Sequence, residues 1–268
     1  MPAVVALPMV KKLRLEGLLA TFVVPAPMGC NLNCSFCLIR ARQEAPPGGD
    51  ALGVEHYVGS LHTLAARHQV GIVSLQGYEP LLPESWAYSE ALLSRAMSLG
   101  IPSALVTNGT YLRDHIADLD CLDVAGITVS LDASSAELHD RSRGTNGAFA
   151  KTVASIKAAA SSSLRPRLMV ASVLQTRRAH YLYGVPRLLA SLGVGQWVVN
   201  PVLGVGREAR GGHVQQYDEI SAHLLALQKR AGEHGIEMVV DDELDLLIRD
   251  ARSSKRRKPC SRRPSRRR

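Results

Sequence analysis

Three cysteines, Cys30, Cys34 and Cys37, lie in the run PMGCNLNCSFCLIR, directly after an apolar stretch. The spacing C-x-x-x-C-x-x-C places three thiolates in one short loop, and soft ligands gathered in this way suit an iron–sulfur group. A [4Fe-4S] cluster that only carries electrons takes four protein ligands. Three leave one iron open, and an open iron is where a small molecule can bind and react. The competing readings fare worse on ligand arithmetic. Structural zinc wants four closed ligands in paired arms, and the nearest further cysteine, Cys121, stands far along the chain without a partner. A disulfide framework is a poor match to five cysteines in a chain of 268 residues. Free core cysteines clustered by chance are the bland alternative.

Six short apolar runs, rich in β-branched residues, recur at 19–25, 70–76, 103–107, 126–131, 167–175 and 196–202. Amphipathic segments separate them at 54–68, 84–99, 111–119, 149–161 and 181–192. Continuous apolar strands alternating with helices predict an α/β fold with a parallel sheet covered by helices, open or curved into a partial barrel. A later helix at 217–234 and a short strand at 237–240 extend the body. In such folds reactive groups collect at the carboxyl ends of the strands. The cysteine loop follows the first strand. The second ends in Gln76-Gly77-Tyr78-Glu79-Pro80, the third in Thr107-Asn108-Gly109-Thr110, and the fourth in Ser130-Leu131-Asp132. The fifth ends at Gln175-Thr176-Arg177 and the sixth at Asn200-Pro201. Each group alone also reads as ordinary turn or helix-cap chemistry. Their convergence on one rim beside the cysteines is the informative observation.

Hydrophobic residues make up 46% of the chain and aromatic ones 4%, so the core is predicted to be mostly Ala, Val and Leu. No apolar run is long enough to span a membrane, and the first residues lack the order of a signal peptide. A cytoplasmic, reducing setting is expected, with no membrane partner. The formal charge is +8, but Arg252 to Arg268 carries ten Lys or Arg and no acid; taking these ten away leaves −2 for the body. That tail is expected to be disordered, and nucleic-acid binding through it is not favoured.

The residues quoted above resemble the radical S-adenosylmethionine (radical SAM) superfamily, with a similarity running from about residue 21 to 206. Cys30, Cys34 and Cys37, with Phe36 before the last cysteine, match its C-x-x-x-C-x-aromatic-C loop. The resemblance implies that the three cysteines bind a [4Fe-4S] cluster whose fourth iron chelates the methionine moiety of S-adenosyl-L-methionine. LQGYEPLL resembles the family's G-G-E-P segment, which implies that Gly77, Tyr78 and Glu79 border the cofactor, the backbone receiving its amino group. Tyr78 departs from the usual second glycine and is expected to point away from the cofactor or to wall the substrate pocket. VTNGTYL and ITVSLDASSAELHDRSRGTNGAF resemble the third and fourth strand segments. On that match Ser130 and Asp132 are candidates for the ribose hydroxyls, supported by Asn108, and the backbone near residues 200–202 faces adenine. Arg143 is either directed at the cofactor carboxylate, which a guanidinium suits, or an ordinary solvated arginine.

The family resemblance implies a partial (β/α)6 parallel barrel of radical SAM type with a short C-terminal extension. The expected division is a lead-in over 1–18, a core over 19–210, a helical extension over 211–250 and a disordered basic tail over 251–268. It also implies reductive cleavage of S-adenosyl-L-methionine, with the electron supplied by a flavodoxin or ferredoxin. The resulting 5′-deoxyadenosyl radical would take hydrogen from a substrate. With only Cys121 and Cys260 outside the loop, a complete auxiliary-cluster domain is not expected, and Cys121 reads as a core thiol. Nor is a leader-peptide or cobalamin domain expected ahead of the first strand. A small-molecule substrate (a sugar, nucleoside or amino-acid-derived intermediate) and a redox-neutral outcome follow: epimerisation, elimination, rearrangement or decarboxylation. Candidates for substrate contact are Tyr78, Arg40, Arg42, Asn200 and Arg207, whereas His56, His62, Trp86 and Trp197 read as packing or surface residues. No catalytic residue is assigned. The alternative is a non-catalytic iron–sulfur or zinc regulator that contacts nucleic acid through its tail, though such a protein has no need of the motifs at the second to fourth strand ends.

Overall fold

The computed structural model describes residues 20–25, 29–37, 53–67, 70–201 and 217–240. Seven strands form one sheet in sequence order, all neighbours parallel: β1 (Ala20–Pro25), β2 (Val70–Gln76), β3 (Ser103–Thr107), β4 (Gly126–Ser130), β5 (Leu168–Leu174), β6 (Gln196–Pro201) and β7 (Glu237–Val240). Helices return the chain between them: α1 (Val54–Arg67), α2 (Pro83–Ser98), α3 (Ile116–Cys121), α4 (Ala136–Arg143), α5 (Ala148–Ala160), α6 (Val185–Leu192) and α7 (Tyr217–Glu233). Because every strand runs the same way, every carboxyl end lies on one rim. This is the expected α/β architecture, with β7 pairing onto β6 so that the C-terminal extension lengthens the sheet.

The strands hold because alternate side chains are buried against the helices. Val73, Leu75, Leu105, Ile127, Val129, Val170, Trp197 and Val199 are buried with Leu92, Leu93, Ile156, Leu189, Leu224 and Leu227 from the helices in one continuous core. At about 25 cal/mol per Å² of buried apolar surface, this core is the main favourable contribution to folding. Trp197 is fully buried and its indole Nε1 donates to Ser172 Oγ at 2.8 Å, which satisfies its one polar atom. Trp86 stacks on His115 with centroids 4.1 Å apart, and His62 Nδ1 lies 2.7 Å from Arg95 Nη2 between α1 and α2. These residues pack, as their sequence context indicates.

Three features differ from expectation. The segment expected as one helix at 111–119 is a 3-10 turn, Leu112–His115, followed by the short α3. Cys121, expected as a core thiol, is exposed at the end of α3, where Leu119 takes the inward position instead. The helix α4 was not expected at all. Its sequence, AELHDRSR, has no apolar stripe. It is held by the Glu137–Arg141 pair at 2.8 Å, by a left-handed Gly144 at its end, and by Asp140, which accepts hydrogen bonds from Gly147 N and Phe149 N at the start of α5.

Candidate functional site

The cysteine loop, residues 29–37, sits on the rim and has a small apolar patch of its own: Leu32, Cys34 and Ala148 are buried, with Cys30, Phe36 and Cys37 packed against them. Burial pushes the Cys30 and Cys34 thiols above their ordinary value. Donors act in the opposite direction on each: the Leu32 backbone and Asn108 side chain on Cys30, and the Arg143 charge on Cys34. Sulfur in a dry pocket faced by N–H donors and a cation is an environment for a bound thiolate.

One flank of the loop is built by the ends of β2 and β3. The Glu79 main-chain N–H donates to Gly29 O at 3.3 Å. Its side chain turns inward: Oε1 accepts from Thr107 Oγ1 at 2.6 Å and Leu81 N at 3.1 Å, and Oε2 accepts from Asn108 N at 2.6 Å. These donors favour the ionised carboxylate, yet burial outweighs them and raises its pKa to about 7. Asn108 is the next link. Its Oδ1 accepts from Thr110 N at 2.9 Å and Thr110 Oγ1 at 2.6 Å, and its Nδ2 donates to Asn31 Oδ1 at 2.8 Å and to Cys30 Sγ at 3.7 Å. Asn31 Nδ2 returns a bond to Thr110 Oγ1 at 3.0 Å. The amide orientation is thereby fixed by its partners.

The next flank is built by the end of β4 and by α4. Arg143 and Asp132 are 6% and 2% exposed, with Nε and Oδ2 2.7 Å apart. Asp132 Oδ2 also accepts from Ser142 Oγ at 3.1 Å, and Oδ1 accepts from Val173 N at 3.0 Å. Burial works against the Arg143 charge, but Asp132 and Cys34 more than offset it and hold the guanidinium above its usual value. Arg143 Nη1 donates to Cys34 Sγ at 3.8 Å, and the guanidinium carbon lies 5.3 Å from the centroid of the Phe36 ring. His139, fully buried, accepts from Asp132 N at Nδ1 over 3.2 Å. Burial, aided by the Arg143 charge, lowers its pKa to about 4, so it is neutral at physiological pH. The Asn33 main-chain N–H donates to Arg143 O at 2.9 Å. Gly144, at φ +64°, lies so close that a side chain there would run into the Asn33 carbonyl. A third grip comes from the segment after β5, where Arg178 Nη1 donates to Gln175 Oε1 at 3.0 Å and Ser35 Oγ at 3.3 Å.

The rim thus brings together Cys30, Cys34, Cys37, Phe36, Gly77, Tyr78, Glu79, Asn108, Ser130, Asp132 and Arg143 at neighbouring strand ends. Gly77 is exposed with φ +111°, Tyr78 is half-buried, and Ser130 is half-buried at the last position of β4. The Asp132 carboxylate, read from the sequence as a candidate for the ribose hydroxyls, points into the protein and accepts from donors there, and so does the Glu79 carboxylate, whose expected contact with the cofactor was through the backbone. Arg143 is not solvated. Asn200 lies at the end of β6 with a buried Oδ1 that has no hydrogen-bond partner among the described residues. Arg40, Arg42, Arg207 and the basic tail lie outside the described residues. Asn31, Ser142, His139 and Arg178 were missed, and Thr107 was noted only as part of a strand end; the polar residues between the cysteines were the available signal.

Among the described residues no three His, Cys, Asp or Glu side chains converge to hold a single metal ion. A cube takes each thiolate on a different iron, so its cysteines stand further apart than the ligands of one zinc ion. The donor set and its N–H partners therefore fit a [4Fe-4S] cluster. No helix among the described residues is long and apolar enough to cross a membrane.

Known proteins resemble this chain over much of its length. AdoMet-dependent heme synthases are similar: that of Methanosarcina barkeri is 32% identical over 132 residues, covering 48% of this chain and 36% of the relative. That of Oleidesulfovibrio alaskensis is 25% identical over 240 residues, covering 80% and 59%. The chain thus spans between about a third and three-fifths of these relatives. The sporulation killing factor maturation protein SkfB of Bacillus subtilis is 26% identical over 206 residues, covering 76% and 47%. The fold is that of Streptococcus suis SuiB, solved with bound S-adenosylmethionine, at TM-score 0.65 and 13% identity over 87% of this chain and 53% of that one. The family profile described as the Radical SAM superfamily matches residues 24–175, more than half of the chain, and its enzymes use a [4Fe-4S] cluster and S-adenosyl-L-methionine. On the cysteine loop, the rim that frames it and this match, the chain belongs to the radical SAM superfamily.

Proposed function

We propose that this protein cleaves S-adenosyl-L-methionine reductively at a cluster held by Cys30, Cys34 and Cys37, and spends the resulting radical on a small-molecule substrate. The observation that carries the reading is the framing of the cysteine loop from two sides, with Asn108 donating to Cys30 Sγ and Arg143 to Cys34 Sγ. When bound, the reduced cluster supplies the single electron that splits the cofactor's carbon–sulfur bond, and the organic radical so formed takes a hydrogen atom from substrate. The chain's own residues hold and orient. With the Glu79 carboxylate turned inward, the Gly77–Glu79 segment offers main-chain groups to the cofactor's amino end. Ser130 is available to the ribose hydroxyls, while Asp132 serves the site by fixing Arg143. Asn200 Oδ1, a buried acceptor without a partner among the described residues, is matched to an amino group of adenine or substrate. Tyr78 walls the space beyond.

We read residues 19–210 as the unit that carries this chemistry and a flavodoxin or ferredoxin as the electron donor. The small-molecule choice is supported by the likeness to heme synthases; the likeness to SkfB makes a peptide the outcome to test against. Anaerobic reconstitution with iron and sulfide, followed by dithionite and S-adenosyl-L-methionine, is expected to release 5′-deoxyadenosine. Cys34→Ala is expected to abolish that release. A fully reconstituted cluster that releases none overturns the reading. A deuterated substrate then identifies the class by the label it transfers into 5′-deoxyadenosine.

A further inference from the structure

Two different side chains, one following β3 and one at the end of α4, direct N–H groups at two different cysteine sulfurs. Asn108 Nδ2 lies 3.7 Å from Cys30 Sγ and Arg143 Nη1 lies 3.8 Å from Cys34 Sγ. Neither is a chance approach of a mobile side chain. The Asn108 amide is fixed through Thr110 and Asn31, and its main chain through Glu79 Oε2 and Thr152 Oγ1, the latter donating to Asn108 O at 2.9 Å. Arg143 is fixed by Asp132 and the Phe36 ring and is 6% exposed. Both donors are in place before any charge arrives and need not reorganise when it does.

We infer that Asn108 and Arg143 are positioning residues that raise the reduction potential of the cluster through the sulfurs of Cys30 and Cys34. The inference rests on the cluster reading proposed above. Reduction adds one electron, from a flavodoxin- or ferredoxin-class donor, with no bond made or broken at this step. The added negative charge spreads over the sulfurs. Hydrogen bonds to those sulfurs and nearby positive charge stabilise the reduced form more than the oxidised one. Asp132 opposes Arg143 electrostatically, but the guanidinium stands between its carboxylate and the sulfur, so the donor prevails. Lysine cannot replace Arg143: one ammonium has no fork with which to pair with Asp132 and reach Cys34 together.

The test is an EPR-monitored potential titration of reconstituted wild-type protein, Arg143→Lys, Asn108→Ala and the double variant, without S-adenosyl-L-methionine. Iron and sulfide content and circular dichroism are measured on the same samples. With wild-type cluster content, Arg143→Lys is expected to lower the reduced-to-oxidised ratio at the wild-type midpoint about tenfold, a shift of about 59 mV for one electron. Asn108→Ala is expected to shift it in the same direction by less, and the two shifts are expected to add, since they act on different sulfurs. If one variant loses its cluster, the other carries the test. Filled variants with the wild-type midpoint overturn the inference, as does loss of the cluster from both variants with the fold intact. A wild-type protein that assembles no cluster overturns the functional reading itself, a separate outcome.

Discussion

The two flanks of the cysteine loop solve the same problem with different physics. On the β2–β3 side, Glu79, Thr107, Asn108, Thr110 and Asn31 form a chain of hydrogen bonds around a carboxyl group that burial drives toward neutrality. On the β4–α4 side, an ion pair of Arg143 and Asp132 is buried outright. The first arrangement shares its load among several modest bonds, and each can be weakened by degrees. The second concentrates it in one pair, and removing either partner strands the other as a buried charge.

The largest expected difference comes from breaking the charged flank. Asp132→Ala leaves Arg143 without its counter-ion, and deleting one partner of a buried pair costs about 3–5 kcal/mol. Urea unfolding of the cluster-free protein measures it; a loss below about 1 kcal/mol would mean that the pair is solvated in solution. Gly144→Ala comes next. It places a side chain at φ +64° and against the Asn33 carbonyl, a strain of about 1–3 kcal/mol. Because the Asn33–Arg143 backbone bond must lengthen, the variant is also expected to take up less iron on reconstitution, which iron analysis reads directly.

The smallest effect sharpens the comparison through pH. The Glu79 carboxyl keeps its proton up to about pH 7 in the folded state and to about 4.5 when unfolded. Between those values the folded protein binds more protons, so the stability contribution of Glu79 falls as pH rises through that window. Arg143 and Cys30 are the charged or titratable groups that it feels electrostatically. His139, on the other flank, behaves in the opposite sense: its pKa is about 4 when folded against 6.5 unfolded, so its contribution is lost as pH falls through that window. Glu79→Gln is therefore expected to remove the decline in melting temperature between about pH 5 and 7 and to leave the rise contributed by His139. An unchanged pH profile in Glu79→Gln would show that the carboxyl is ionised throughout.

The parts legible in the sequence were those whose side chains do one thing. β2, β3 and β7 fall where the apolar runs place them, because short apolar, β-branched runs between turn residues are the ordinary signature of a strand. The cysteine loop was legible from spacing and the rim from the rule that strand ends converge. What could not be read was orientation. Asp132 is an acidic residue beside a site, a pattern that suggests a ligand for a cofactor, yet its carboxylate faces inward because donors from the next strand and helix meet it there. The helix α4 escaped because it is short and polar, and its stability comes from tertiary contacts of Asp140, His139 and Arg143 rather than from an apolar face. Cys121 misled for a related reason: cysteine is usually buried, but here Leu119 fills the inward position and the thiol falls on the outer side of the turn.

The bond from Asn33 to the carbonyl of Arg143, with Gly144 pressed beside it, sets an order of events in the making of the protein. The cysteines leave the ribosome before the surface that shapes their loop, which is encoded more than a hundred residues later. Until β4 and α4 have emerged and docked, the loop has closed none of this long-range contact, and the chain entropy of doing so is still to be overcome. Iron delivered at that stage would meet a Cys34 thiol that still lacks its Arg143 donor. The framing of the loop that the folded protein shows is therefore complete only once the chain has passed Gly144.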